Sequence, residues 1–427
     1  MRSLFLKCVL LLLVALVGVQ LVGCTPLVVN APNESEAKIT EIGLVSPEGL
    51  FYDVYDNGEV TVTGRRDGVK TLVIPDEING RPVTAIGNEA FAGDGYLVYA
   101  ELGKNVRKIG ENAFYGCVEL IRVDATEALK SIGYFAFYGC SLLSSVNGAV
   151  GLTEIYDSAF GACPALCYLE LPETLTKIGD AAFYCAISLP ALDLPDGDIT
   201  IGAQAFYGCK SLCSVELGGL REIPDEAFYD CVLLNAIDLT DIKSVGRRAF
   251  YGCTSLLTVK EDTTLESVGI SAFFDTPWLA SQTDEFVIAG DGVLLKYNGS
   301  ADSVKVPRSV KYVSDAFSGN NSIVKAEISG KTETIGEGAF SSCRALQDVV
   351  LSADIKLISS SAFSSCSRLR TIYLPKSLQE IGDSAFVGCL LLYHVKYGGS
   401  AEDFSKVSVS SENSHLIGAT FSYGVSD

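Results

Sequence analysis

Residues 201–217 read Ile201-Gly-Ala-Gln-Ala-Phe206-Tyr-Gly-Cys209-Lys-Ser-Leu212-Cys-Ser-Val215-Glu-Leu217, and variants of this stretch recur along the chain. Its Ala-Phe dipeptide returns thirteen times, ending at Phe91, Phe114, Phe137, Phe160, Phe183, Phe206, Phe228, Phe250, Phe273, Phe317, Phe340, Phe363 and Phe386. Successive copies lie 22 or 23 residues apart, except for one gap of 44 after Phe273. Ile or Val stands four residues before almost every Ala, usually followed by Gly, and Cys usually stands three residues after the Phe. A unit this short cannot enclose a core of its own, but it can bury its apolar patches against an identical neighbour. The spacing L-x-x-V-x-L alternates inward and outward residues and predicts one short strand per unit, as at Leu166-x-x-Leu169-x-Leu171 and Leu234-x-x-Ile237-x-Leu239. The predicted fold is a repeat solenoid, mainly β.

Several units end in Leu-Pro, as at Leu171-Pro172, Leu194-Pro195 and Leu374-Pro375. The combined pattern I-G-x-x-A-F-x-x-C-x-x-L-x-x-V-x-L-P resembles the bacterial BspA-like leucine-rich repeats over roughly residues 72–397. That resemblance implies parallel strands and a surface protein engaged in adhesion or in host or matrix contact.

An open solenoid exposes apolar surface at both ends and requires caps. Phe51–Tyr55 and Glu59–Thr63 flank Asp56-Asn57-Gly58, a strong hairpin signal, so residues 41–85 are assigned to an amino-terminal cap. Repeats follow over 86–276 and 313–396. Between them, residues 277–312 hold a second hairpin signal, with Phe286–Ala289 and Val293–Tyr297 around Gly290-Asp291-Gly292. Whether this insertion bends the solenoid stays open. Residues 397–427 form the carboxy-terminal cap.

At the amino terminus, Arg2 and Lys7 precede a nearly unbroken apolar run from Cys8 to Val22. This run is too short to span a bilayer as a helix and reads as a signal peptide over residues 1–23. Leu21-Val22-Gly23-Cys24 resembles a lipoprotein cleavage box, which implies lipidation of Cys24 and attachment to the outer face of a bacterial membrane through a linker over 24–40. Removing residues 1–23 takes away two basic residues and no acid, so the net charge moves from −20 to −22. Such an acidic chain repels phosphate backbones, so nucleic acid is not expected as a partner, whereas basic proteins and divalent cations are compatible.

The chain has two histidines, His394 and His415, and none of the common motifs for metal hydrolysis, nucleotide binding or serine nucleophiles. No enzyme and no cofactor are expected. Ten of the fourteen cysteines follow the repeat, from Cys117 to Cys389, and read as buried reduced thiols rather than a disulfide framework. Two outward columns are the candidate binding residues. The first lies between Val and Leu of the strand and runs Asp124, Asn147, Glu170, Asp193, Glu216, Asp238 and then Lys260. Five carboxylates in six rungs repel one another unless screened or bound by cations or a basic partner, while a charged strand face also deters sheet-to-sheet association. The second column follows the repeat Phe and comprises Tyr115, Tyr138, Tyr184, Tyr207, Tyr229 and Tyr251, then Phe274. These rings suit glycan or protein contact, or they cover the turns and shield the Phe beneath. The sequence therefore predicts a surface protein that binds proteins or glycans. The alternatives are a structural envelope component without a dedicated ligand and a cell-wall carbohydrate enzyme.

Overall fold

Each repeat supplies two short strands, one more than the sequence pattern predicts. The computed structural model describes residues 37–66, 68–351 and 354–426, and Cys24 with its flanking segment lies outside them. The expected strand holds the inward Val, as at Arg122–Asp124 and Ser145–Asn147, and pairs in parallel with its neighbour so that Val123 faces Val146. A second strand holds the Ile of I-G, as at Lys108–Ile109, Ser131–Ile132 and Glu154–Ile155, again parallel and in register. Only two residues long and usually ended by Gly, it gives no alternation for a sequence reading to detect. The chain thus winds between a valine sheet and an isoleucine sheet.

Between the sheets, the Ala-Phe turn also belongs to the ladder. Phe114 N–H donates to the Ala136 carbonyl at 2.8 Å, and Phe137 N–H to that of Ala159 at 2.8 Å, one rung further on. The rings follow the backbone: Phe114 and Phe137 stack at 5.1 Å and 5°, Phe183 and Phe206 at 5.2 Å and 5°, and all four are buried. Offset stacking at this separation is favourable beyond the area buried. Each repeat thiol caps the preceding rung, with Cys140 Sγ donating to the Phe114 carbonyl at 3.1 Å and Cys163 Sγ to that of Phe137 at 3.0 Å. Every described cysteine is free, and burial pushes the Cys163 thiol up to about 12, which keeps it protonated.

Glycine in I-G serves close approach. A Cβ on Gly133 would sit 2.8 Å from the Gly110 carbonyl carbon, inside backbone of the previous rung. A different need applies two residues after Phe, where Gly116, Gly139 and Gly208 take positive φ of 66°, 74° and 69°. Cys185 occupies that same left-handed position in its rung, at φ 58°, which explains its departure from the cysteine register.

The ends and the break use hairpins. Strands Leu50–Tyr55 and Val60–Arg65 pair antiparallel, and the latter starts the isoleucine sheet by pairing with Arg81–Ile86. Ser408–Val409 and Thr420–Tyr423 close the isoleucine and valine sheets. Helices near the end cover the last rung, among them Ala401–Phe404 with a Ser400–Asp403 capping box. No helix among the described residues is long and apolar enough to cross a membrane.

In the 44-residue gap, Phe286–Ala289 and Val293–Tyr297 form an antiparallel hairpin whose second strand enters the isoleucine sheet against Tyr312–Val313. Tyr297 takes the place of the missing Phe and packs on Phe317 at 5.2 Å. The hairpin has no Gly-x-x-Ala-Phe turn, so the turns on either side close onto each other. Ser271 N–H donates to Asp315 Oδ2 at 2.8 Å, and Ser314 Oγ to the Val268 carbonyl at 2.9 Å. On the valine side, Thr258–Lys260 and Ser303–Val306 do not pair, and helix Pro277–Ser281 packs there, with Trp278 N–H on the Leu256 carbonyl. The insertion is a wedge. It bends the solenoid toward the isoleucine sheet and divides the core into one cluster from Leu50 to Leu295 and another from Leu294 to Leu416.

Because Phe206 is fully buried between Phe183 and Phe228, Phe206→Ala is predicted to destabilise the fold by ~3–5 kcal/mol, read by chemical denaturation. A loss below ~1 kcal/mol would show that the stack is not what holds adjacent rungs.

Candidate functional site

The acidic column faces outward, but as three separate pieces. Glu101, Asp124 and Asn147 are adjacent in register, as are Asp193 and Glu216, and Asp238 and Lys260. Glu170 falls just beyond its shortened strand, Tyr168–Leu169, which does not pair with the strand holding Asp193. Asp124 and Asp238 are internally compensated. Asp124 receives the Tyr99 hydroxyl at 2.6 Å, Arg122 at 2.8 Å and Asn147 Nδ2 at 2.9 Å. Burial raises its pKa, yet these donors outweigh that and hold it below the usual carboxylate value. At the other end, Lys260 Nζ lies 2.7 Å from Asp238, and this contact together with Thr240 lowers the Asp238 carboxyl to about 2. Glu170, Asp193 and Glu216, all exposed, have no intramolecular counter-charge among the described residues.

The tyrosine column is a stack of rings in two runs. Tyr115 and Tyr138 stack at 5.6 Å. Tyr184, Tyr207, Tyr229, Tyr251 and Phe274 follow one another at 4.9, 4.6, 4.8 and 5.0 Å. Between the runs stands Gly161, where a Cβ would meet the Tyr138 ring at 2.7 Å, so Tyr138 lies down over the next rung. Tyr115 and Phe274 are exposed at 44% and 54%, whereas the rings from Tyr138 to Tyr251 are half-buried. Burial pushes the Tyr184 phenol up to about 12 and raises that of Tyr207 further, so both remain neutral hydrogen-bond donors. The half-buried rings lie over the turns, with an exposed ring at each end of the column.

Cys167 and Cys213 are exposed and bond the carbonyls of Ser144 and Pro190, each one rung back. Cys163 and Cys209, each four positions earlier, point into the core. Among the described residues, no three His, Cys, Asp or Glu side chains converge to hold a metal ion. His394 shares a hydrogen bond with Ser422 at 3.0 Å, and His415 keeps its Nδ1 buried without a partner.

Sequence reasoning missed the inside of the bend. There Arg247 pairs with Asp225 at 3.1 Å and, across 90 positions of sequence, with Glu337 at 3.4 Å. No local spacing signals that encounter, since it exists only once the wedge has closed the turns. The acidic column also ends at the bend: beyond it the same outward position reads Lys305, Glu327, Val350, Tyr373 and Lys396, with Lys305 on Glu327 at 2.6 Å.

The sequence matches the family described as BspA type leucine rich repeat region over residues 84–197, 176–285 and 295–414. No curated protein matches it. Among solved structures it is similar to a leucine rich cell surface protein from Faecalibacterium prausnitzii, at 23% identity over 87% of this chain and 99% of that one, with a TM-score of 0.43. A leucine-rich repeat protein from Bacteroides ovatus shares 22% identity over 88% of this chain and 98% of that one, with a TM-score of 0.45. The pneumococcal vaccine antigen PcpA shares 18% over 90% and 98%, with a TM-score of 0.33.

The depressed Asp238 carboxyl contributes stability above its ordinary value of 3.8, and that contribution is lost as pH falls through about 2. In Lys260→Met, carbon-detected NMR titration is expected to show the Asp238 midpoint moving up toward 3.8. An unchanged midpoint would show that the lysine is not its partner in solution.

Proposed function

Because the chain belongs to the BspA-type leucine-rich repeat family, we propose that it is a lipid-anchored bacterial surface protein that binds protein or glycan partners, with adhesion or host or matrix contact as its role. One observation carries the choice of face. Asp193 and Glu216 stand side by side in register without counter-charges, whereas Asp124 and Asp238, on either side of them in the same column, are each neutralised by a basic neighbour. Two unit charges ~5 Å apart repel by ~0.8 kcal/mol even in bulk water and by more near a protein surface. A partner's Lys or Arg relieves that repulsion, and the net charge of −20 draws such a partner in. Weak contacts repeated along the rungs add by multivalency. A basic protein surface suits the column better than a divalent cation, since no three carboxylates converge among the described residues. The role is binding and not catalysis, in keeping with a scaffold whose His394 bonds Ser422 and whose His415 Nδ1 is buried.

Asp193→Asn combined with Glu216→Gln is expected to weaken binding of an oligolysine peptide roughly fivefold at low salt, measured by calorimetry. Equal affinity for both forms would remove this column from the binding surface.

Anchoring follows from residues 1–24, with Cys24 as the acylated residue and the linker over 24–40 holding the solenoid near its membrane. Cys24→Ser should abolish metabolic labelling by palmitate and release the protein from the detergent phase on partition. Retention of both would refute the anchor.

A further inference from the structure

The bend encloses a cleft of about 900 Å³, within the range of small-molecule sites. Its first wall is the outward side of the isoleucine sheet, with Thr200, Glu222, Ser244 and Ser267 from consecutive strands. Its second wall begins beyond the hairpin, with Tyr312, Glu337, Ser359 and Ser360. Arg247 is clamped between the walls by Asp225 and Glu337, so its guanidinium is held in place before any ligand arrives.

Backbone acceptors are open on the first wall. Thr200–Ile201 and Glu222–Ile223 occupy successive rungs but do not pair. Elsewhere the residue after the Ile or Val donates to the rung before: Gly202 N–H to the Ile178 carbonyl at 2.8 Å, Gly246 N–H to that of Ile223 at 2.7 Å. Pro224 stands at this position and has no N–H, so the Ile201 carbonyl loses its donor. Among the described residues, neither it nor the Ile199 carbonyl accepts a backbone hydrogen bond, and both residues line the cleft. The hydroxyls of Ser244, Ser267, Ser359 and Ser360 and the carboxylate of Glu222 also make no hydrogen bond among the described residues.

These groups describe a ligand. Of the apolar residues at the floor, Ile199, Ile223 and Val245 are buried. Four lining carboxylates, those of Asp198, Glu222, Asp225 and Glu337, outnumber the two arginines, Arg221 and Arg247, which disfavours phosphate and polyanions. What remains is a molecule that donates to carbonyls and carboxylates and accepts from guanidinium and hydroxyl groups at closely spaced points. Vicinal sugar hydroxyls do both. We propose that the cleft at the bend binds a neutral oligosaccharide, with Glu222, Arg221 and Arg247 as its principal polar contacts. This deepens the surface-binding reading and assigns a ligand class to a site separate from the acidic column.

The test titrates maltotetraose, cellotetraose and chitotetraose by calorimetry into the chain lacking residues 1–23. Saturable binding of at least one is expected, weakened about tenfold by Glu222→Gln and by Arg221→Ala, and abolished by Ser267→Trp, which fills the cleft. Circular dichroism and thermal unfolding of each variant should match the parent. Failure of all three sugars to bind overturns the proposal, as does binding that survives all three substitutions. Binding of a neutral hexapeptide at the cleft with no sugar bound would reassign it to peptide. The oligolysine measurement reads the acidic column independently, so the two readings fail separately.

Discussion

Everything in this molecule depends on one repeated distance, the ~5 Å step between rungs that the backbone ladder imposes. The ladder runs through both sheets and through the Ala-Phe turn, so each Phe ring is set down on the one before it and each repeat thiol reaches the carbonyl behind it. The same step leaves no room for a Cβ at Gly133. It also turns any outward residue into a column. A side chain of no consequence by itself becomes, when repeated, a line of charge or a stack of rings.

The two columns differ in how much of their surface is packed away. The tyrosine rings from Tyr138 to Tyr251 are half-buried, and those from Tyr184 to Tyr251 stack on one another, which spends their surface on packing. The acidic column spends little on packing, and Arg122 and Lys260 satisfy Asp124 and Asp238 while Asp193 and Glu216 between them are left without counter-charge. The hairpin then ends the first series of rungs, divides the core and turns the isoleucine sheet inward on itself. A regular solenoid has no concave pocket of this kind. The bend makes one from residues as far apart as Arg247 and Glu337.

The fold class was legible because the repeat writes the same physics thirteen times, and Phe, Leu and Cys recur at the intervals that burial requires. The isoleucine sheet was not, since Ser131–Ile132 and its neighbours are too short to alternate. The outward direction of Asp193 and Glu216 followed from strand parity, but their lack of counter-charge depended on where Arg122 and Lys260 reach, which spacing alone does not give. The hairpin residues around Gly290-Asp291-Gly292 announce a turn, while the direction of the bend comes from what the hairpin lacks, a Gly-x-x-Ala-Phe turn between Ser271 and Asp315. Pro224 replaces the glycine of the repeat, and the consequence, an open carbonyl in a cleft, appears only with both sheets and the bend in place.

The account stands on a ladder of constant step broken once by a wedge, and small-angle X-ray scattering from the chain lacking residues 1–23 measures that most directly. A profile matching a rod bent at the hairpin toward the isoleucine sheet, with Arg247 and Glu337 in contact, is the predicted result. A profile matching one straight solenoid, with those two residues held apart, would contradict it.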